Sequence, residues 1–323
     1  MPAALQLLRE LFGEALQENV NLANYTTARA GGPVEALLPV HDASELEQAA
    51  LRLWEAGIPF IVLGSGSNVL VSDSGLSGVV ILNRARAVKI DARSEPPTVW
   101  AESGANFSAL ARQVALRGLS GLEWAAAIPG TLGGAVYGNA GAYGSDMSQT
   151  LLVADILHPH GKEAWTAEQM GYAYRSSILK RSRAGEAAPN AVILSARLRL
   201  SRSDPQTVQA RMEANTLHRR RTQPPGASMG SMFKNPPGDY AGRLIEAAGL
   251  KGARFGDAEI SPVHANFFIN HGAATSADIG RLIAQARQAV FEKFGVMLEL
   301  EVELLGEWPA DLNQKTSGTG RTL

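Results

Sequence analysis

The sequence predicts an α+β protein with more than one subdomain, and three observations carry that expectation. Helix-like and strand-like periodicities alternate in the first part of the chain. A hairpin and an alternating strand follow from about residue 150, and the last third makes its own helix–strand unit. At 323 residues the chain is also too long for one small core.

At the N-terminus, Arg9, Glu10, Glu14 and Glu18 lie among leucines, the pattern of an amphipathic helix and not of a signal peptide. Ser44 and Glu47 read as a capping box, followed by an apolar stripe of Leu46, Ala49, Ala50 and Leu53 that stops at Gly57. A strand over Ile61–Leu63, a glycine turn and a strand over Val79–Leu82 come next. Asn106 caps a second helix with Phe107, Leu110, Ala111 and Val114 on one face and Gly118 at its end. Leu151–Leu157 and Lys162–Thr166 flank His160-Gly161 as a hairpin, and Val192, Leu194, Ala196, Leu198 and Leu200 alternate as a strand with one buried face.

Ser201–Pro205 is polar and reads as a linker. A charged helix then ends at Arg219-Arg220-Arg221, before Pro224-Pro225. Tyr240–Ala248 is a short helix, Thr275 and Asp278 cap a longer one that Gly295 ends, and Val296–Leu305 alternates strictly. There Glu299, Glu301 and Glu303 share one face. From Pro309 onward little can be buried, and disorder is expected.

Composition excludes several classes. A net charge of −1 argues against bulk nucleic-acid or anionic-membrane binding. With no cysteine there are no disulfides, thiolate catalysis or iron–sulfur clusters, so any redox chemistry needs an organic cofactor. No apolar run has the length of a membrane span, and a cytoplasmic location is expected.

The glycines point to chemistry. Six fall in the stretch from Gly130 to Gly144, which almost lacks charge, and Gly64-Ser65-Gly66-Ser67-Asn68 follows the strand Ile61–Leu63. Either loop alone fits an ordinary turn. Together they suit a long cofactor held at two points by bare N–H groups. The Gly64–Asn68 loop lacks the third glycine of the dinucleotide fingerprint, and no Gly-Lys-Ser/Thr follows either loop, so Rossmann and P-loop readings are disfavoured. His158 and His160 lie in one turn without a third ligand, and no metal site is expected.

Five motifs occur in sequence order: Gly64–Asn68, the loop Ile128–Gly144, Tyr174-Arg175-Ser176-Ser177, Gly230-Ser231-Met232-Phe233-Lys234-Asn235-Pro236 and His264-Ala265-Asn266-Phe267. In this order they resemble the UDP-N-acetylenolpyruvoylglucosamine reductase family, from about Asn24 to Gly306. The chain resembles the shorter subtype, which lacks an extra loop between the arginine and serine motifs. The resemblance implies a two-part FAD-binding domain of the vanillyl-alcohol-oxidase type, followed by a smaller α+β substrate-binding domain. The expected divisions are an N-terminal helix over 1–20, the FAD domain over 21–202 (subdomains about 21–84 and 85–202), the substrate domain over 203–307 and a disordered tail over 308–323.

It also implies that NADPH reduces bound FAD, which passes hydride to the enolpyruvyl group of a UDP-sugar. Arg175 and Glu301 would stabilise the resulting enolate and Ser231 would supply the proton. A guanidinium fork suits a carboxylate, and an enolate is basic enough to take a proton from a positioned hydroxyl. Only the match to the family motif selects Glu301 among its neighbouring glutamates; the family often has proline where Leu300 stands.

Arg29, Gly64, Ser65, Gly66, Ser67, Asn68, Pro129, Gly130, Thr131, Gly133, Gly134, Asn139, Gly141 and Ala142 would hold the flavin. In the Arg29 turn, small Ala28 and Ala30 stand where bulkier residues are common. Tyr174, Lys234, Asn235, His264 and Asn266 would hold the substrate. Arg219–Arg221 fit either contact with the UDP diphosphate or a solvated helix end. A monomer is expected. A flavin oxidase for another substrate and a non-enzymatic flavin module are the competing classes; the intact motif around Ser231 argues against the first, and the set of Arg175, Ser231 and Glu301 against the second.

Overall fold

The computed structural model describes residues 2–183 and 190–313, in two compact units that interleave along the chain. One unit takes its residues from 2–20, 35–65 and 78–219, the other from 21–34, 66–77 and 220–313.

In the first unit the N-terminal helix is shorter than expected. It covers Pro2–Phe12, and Gly13–Ala15 and Gln17–Asn21 form a 3-10 turn and an edge strand. Gly13 is a poor helix residue where the apolar stripe runs out. The helix Ala43–Glu55 starts earlier than the Ser44–Glu47 pattern suggests. Asp42 is its cap, accepting from the Glu45 amide at 2.8 Å, while Glu45 accepts from the His41 amide at 2.7 Å. The stronger cap lies two residues upstream, with its own acid three residues on. Leu46, Ala49, Ala50 and Leu53 are buried as expected.

The strands Gln17–Asn21, Pro33–Val40, Leu76–Asn83 and Phe60–Leu63 form a sheet in that order, the last two parallel. A five-stranded antiparallel sheet orders Gly161–Trp165, Leu151–His158, Val192–Arg199, Thr98–Glu102 and Val88–Asp91. Its central strand is buried on both faces as far as Ala196, not on one. The register against Leu151–His158 shifts at Leu194, a bulge that reverses side-chain parity. Val192 and Leu194 therefore join the core with Leu46, Leu53 and Ile81, whereas Ala196 and Leu198 join Phe107, Leu110, Leu132 and Val136. Asn106 caps the helix Phe107–Ala115 as expected, accepting from the Ala109 amide at 2.9 Å. The expected linker begins as a strand, for Ser201–Arg202 pair with Leu119–Ser120.

The second unit packs the helices Ala241–Ala247 and Ser276–Phe294 with a small antiparallel sheet of Arg254–Phe255, Ala258–Ile260 and Phe268–Asn270. Thr275 and Asp278 form the full capping box, and Gly295 closes the helix. Met232, Phe233, Leu244, Ile260, Phe268, Leu282, Ile283 and Val302 share one core. The segment Val296–Leu305 is not one long strand. Only Glu303–Leu305 enters a ladder, parallel to Val69–Val71, while Leu300 makes an isolated bridge to Phe233. Its partners are too short and irregular to extend the ladder. Ala310–Asn313 is helical with Leu312 buried, which corrects the disorder expected from Pro309; residues 314–323 of that tail lie outside the described residues.

Candidate active site

In the first unit Gly64 meets the second glycine loop. A Cβ on residue 64 would lie 2.5 Å from Thr131 Oγ1 and 2.9 Å from its Cγ2, so only glycine permits the approach. Thr131 caps the helix Leu132–Gly138. The loops 64–68 and 129–142 carry no charged side chain, and Ser65, Pro129 and Gly134 are exposed. Uncharged loops rich in main-chain groups suit a cofactor that brings its own phosphate charge. Gly133 has a different use: its amide donates to Ser103 O at 2.7 Å, and a Cβ there would lie 2.8 Å from Ser103 Cβ. It packs the loop instead of offering an N–H.

Arg175 stands at the edge of this loop. Its backbone is left-handed at φ +54°, a strained conformation for a long side chain. Its Nη2 donates to Gly141 O at 2.7 Å, and its guanidinium lies 5.3 Å from the Tyr174 ring centre. Asn139 holds the segment before it, donating to Ala173 O at 3.0 Å and accepting from the Ser148 amide at 3.1 Å. With its side chain spent there, Asn139 is a tie between loops and not a free donor. Arg219 is half-buried, while Arg220 and Arg221 are exposed. Burial pushes its guanidinium below the ordinary arginine value; Tyr143 opposes that shift and the positive Arg175 adds to it. Tyr143 donates to Asn215 O at 2.7 Å and meets the His218 ring edge-on.

The second unit gathers most of the C-terminal candidates. Ser231 bridges Phe267, and Phe233 bridges Leu300, so the serine motif runs between two other segments. Glu301 N donates to Met232 O at 2.9 Å, and Lys234 N donates to Glu299 O at 2.8 Å. Ser231 and Glu301 thereby become near neighbours along paired backbones. The three glutamates are not equivalent: Glu299 is exposed, whereas Glu301 and Glu303 are half-buried. Lys234 is only 16% exposed, and its Nζ pairs with the Glu299 carboxylate at 2.5 Å.

Several other candidates in this unit have structural partners. Asn235 accepts from the Ala241 amide at 3.1 Å at the start of a helix. Asn68 donates to Glu301 O at 3.1 Å and its carbonyl accepts from Glu303 N at 3.0 Å, which fixes the glutamate segment. His264 accepts through Nδ1 from the Asn266 amide at 3.2 Å, and burial lowers its pKa below the ordinary 6.5. Arg29 is exposed on a turn at φ +53°, beside a cavity of about 330 Å³ lined also by Ala227, Asn270 and His271. The ties made by Asn139, Asn68 and Glu299 escape sequence reasoning, because separations of 34, 233 and 65 residues leave no local pattern.

A model of the UDP-N-acetylenolpyruvoylglucosamine reductase C-terminal domain matches residues 222–305, and one of an FAD binding domain matches residues 34–167. Over 300 residues the chain is 44% identical to the UDP-N-acetylenolpyruvoylglucosamine reductase of Chloroflexus aggregans, covering 92% of this chain and 100% of that one. The chain belongs to this reductase family. The Bacillus subtilis enzyme of the same name is 39% identical over 308 residues, covering 95% of this chain and 99% of its own. The solved structure of the reductase (MurB) from Thermus caldophilus superposes with a TM-score of 0.75 at 35% identity, over 89% of this chain and 98% of that one.

The fold expected from the resemblance, an α+β chain with an FAD-binding domain ahead of the family's C-terminal domain, is therefore present, and the protein is an FAD-dependent oxidoreductase. Among the described residues no helix is long and apolar enough to cross a membrane.

Proposed function

We propose that the protein catalyses the NADPH-dependent reduction of UDP-N-acetylglucosamine enolpyruvate to UDP-N-acetylmuramate, a step in peptidoglycan precursor synthesis. The observation that carries this reading is the hydrogen-bonded pairing of the Ser231 and Glu301 segments through Met232 and Phe233, in a chain of the reductase family. Bound FAD would supply hydride-transfer chemistry between NADPH and the terminal enolpyruvyl carbon.

The protein's own groups manage the charge and the proton. Hydride addition drives negative charge onto the substrate carboxylate, where the Arg175 fork is a fixed counter-charge already oriented by Gly141 O. Glu301 is assigned to assist at the same enolate. Ser231 Oγ–H delivers the proton to the neighbouring carbon, which completes the saturated lactyl group. Tyr174 stacks against Arg175 and Lys234 offers its ammonium to the substrate, which must compete with Glu299 for it. Of the arginine triplet, half-buried Arg219 is assigned to an anionic part of the ligand and its two neighbours to the solvated helix end. Main-chain groups around Gly64, Ser65, Gly130 and Thr131 are assigned to the flavin. We take the enzyme to work as a cytoplasmic monomer.

Ser231→Ala tests the assignment. The variant is expected to keep its flavin and be reduced by NADPH at the wild-type rate, yet to stall when the UDP-sugar is added. Normal turnover would remove Ser231 from the role of proton donor.

A further inference from the structure

Asn266 falls in the motif assigned by resemblance to the substrate, yet its geometry gives it another task. The residue is 3% exposed, and Phe233, to which it is bonded, is fully buried. Its Oδ1 accepts from the Phe233 amide at 2.9 Å, and its Nδ2 donates to the Phe233 carbonyl at 2.8 Å. Its own carbonyl accepts from the Met232 amide at 2.7 Å. Three hydrogen bonds thus clamp the two residues that follow Ser231, and a backbone bridge joins Ser231 itself to Phe267.

The carboxamide works as an extra rung of sheet, since it matches one N–H and one C=O of the same residue. An amide presents a donor and an acceptor in that fork without titrating. Asn266 is held in turn, because its amide donates to His264 Nδ1.

We infer that Asn266 is a positioning residue for Ser231, and not a substrate ligand. The inference rests on the reading of Ser231 as proton donor. A hydroxyl that must meet a carbon late in the reaction tolerates little displacement, and a misplacement of about 1 Å costs on the order of 100-fold.

The test uses the flavin-loaded enzyme and the variant Asn266→Asp, which keeps the shape but removes the donor and turns a carboxylate toward the Phe233 carbonyl. Flavin reduction by NADPH is expected within about twofold of wild type. So is the dissociation constant of the UDP-sugar, read from the spectrum of the oxidised flavin. Reoxidation by the sugar should slow by about 100-fold, with a larger solvent deuterium isotope effect, because proton delivery becomes limiting.

Weakened sugar binding with an unchanged limiting reoxidation rate would overturn the inference and make Asn266 a ligand. Equal slowing of both half-reactions would also overturn it, as general damage. If Asn266→Asp fails to retain flavin, the uncharged and shorter Asn266→Ser replaces it, losing both Phe233 bonds, with the same outcomes deciding. A wild-type flavin that the sugar does not reoxidise would overturn the functional reading itself, before any variant is made.

Discussion

At the scale of single residues, the candidate site consists of a few reacting groups and many more that hold them. Arg175 is fixed by a left-handed backbone, by Gly141 O and by the Tyr174 ring. Arg175→Lys keeps the charge and loses the fork, so reoxidation by the UDP-sugar should fall by about 100-fold or more with flavin reduction intact. Single-turnover absorbance separates the two steps.

His264 gives a pH signature. Its folded pKa lies below 6.5 because burial disfavours the charged ring. The unfolded chain therefore binds the extra proton first, and stability is full above about 6.5 and declines as pH falls toward the folded value. Denaturant titrations of wild type and His264→Gln between pH 7.5 and 5 should show a shallower decline in the variant. Parallel curves would remove His264 from the pH response.

At the scale of elements, the legible features were those written locally. The helix stripe Leu46–Leu53, the Asn106 cap and the Thr275–Asp278 box all follow from spacings of three or four residues. The cap lies at Asp42, two residues before Ser44, because the Asp42 carboxylate is the side chain that accepts from the Glu45 amide. Asp42→Ala should lower stability by about 1 kcal/mol and Ser44→Ala by much less, as measured by urea unfolding. The bulge at Leu194 and the broken alternation of 296–305 depend on partner strands far away in sequence, so periodicity alone missed them. The loop contact is testable at this scale too. Gly64→Ala should destabilise by about 1–3 kcal/mol through overpacking against Thr131. Adding Thr131→Ala should recover part of that loss, because two of the three close contacts disappear.

At the scale of the whole molecule, two compact units divide the candidate residues. One carries the Gly64–Thr131 contact and Arg175, the other the paired Ser231 and Glu301 segments. The motifs and their order were readable because each is short and contiguous. The ties that make them rigid were not, since Asn68 reaches Glu301 across 233 residues and Asn270 reaches Ala28 O across 242. Flavin binds only the folded chain on this account, so the melting temperature should rise with added FAD. An excess of about 100 times the dissociation constant corresponds to about 2.7 kcal/mol.

The most direct measurement is anaerobic stopped-flow at the flavin absorbance band, in which the enzyme is bleached with NADPH and then mixed with UDP-N-acetylglucosamine enolpyruvate. Rapid return of the oxidised flavin spectrum with formation of UDP-N-acetylmuramate is the expected result. A flavin that NADPH reduces but the UDP-sugar leaves bleached would contradict it.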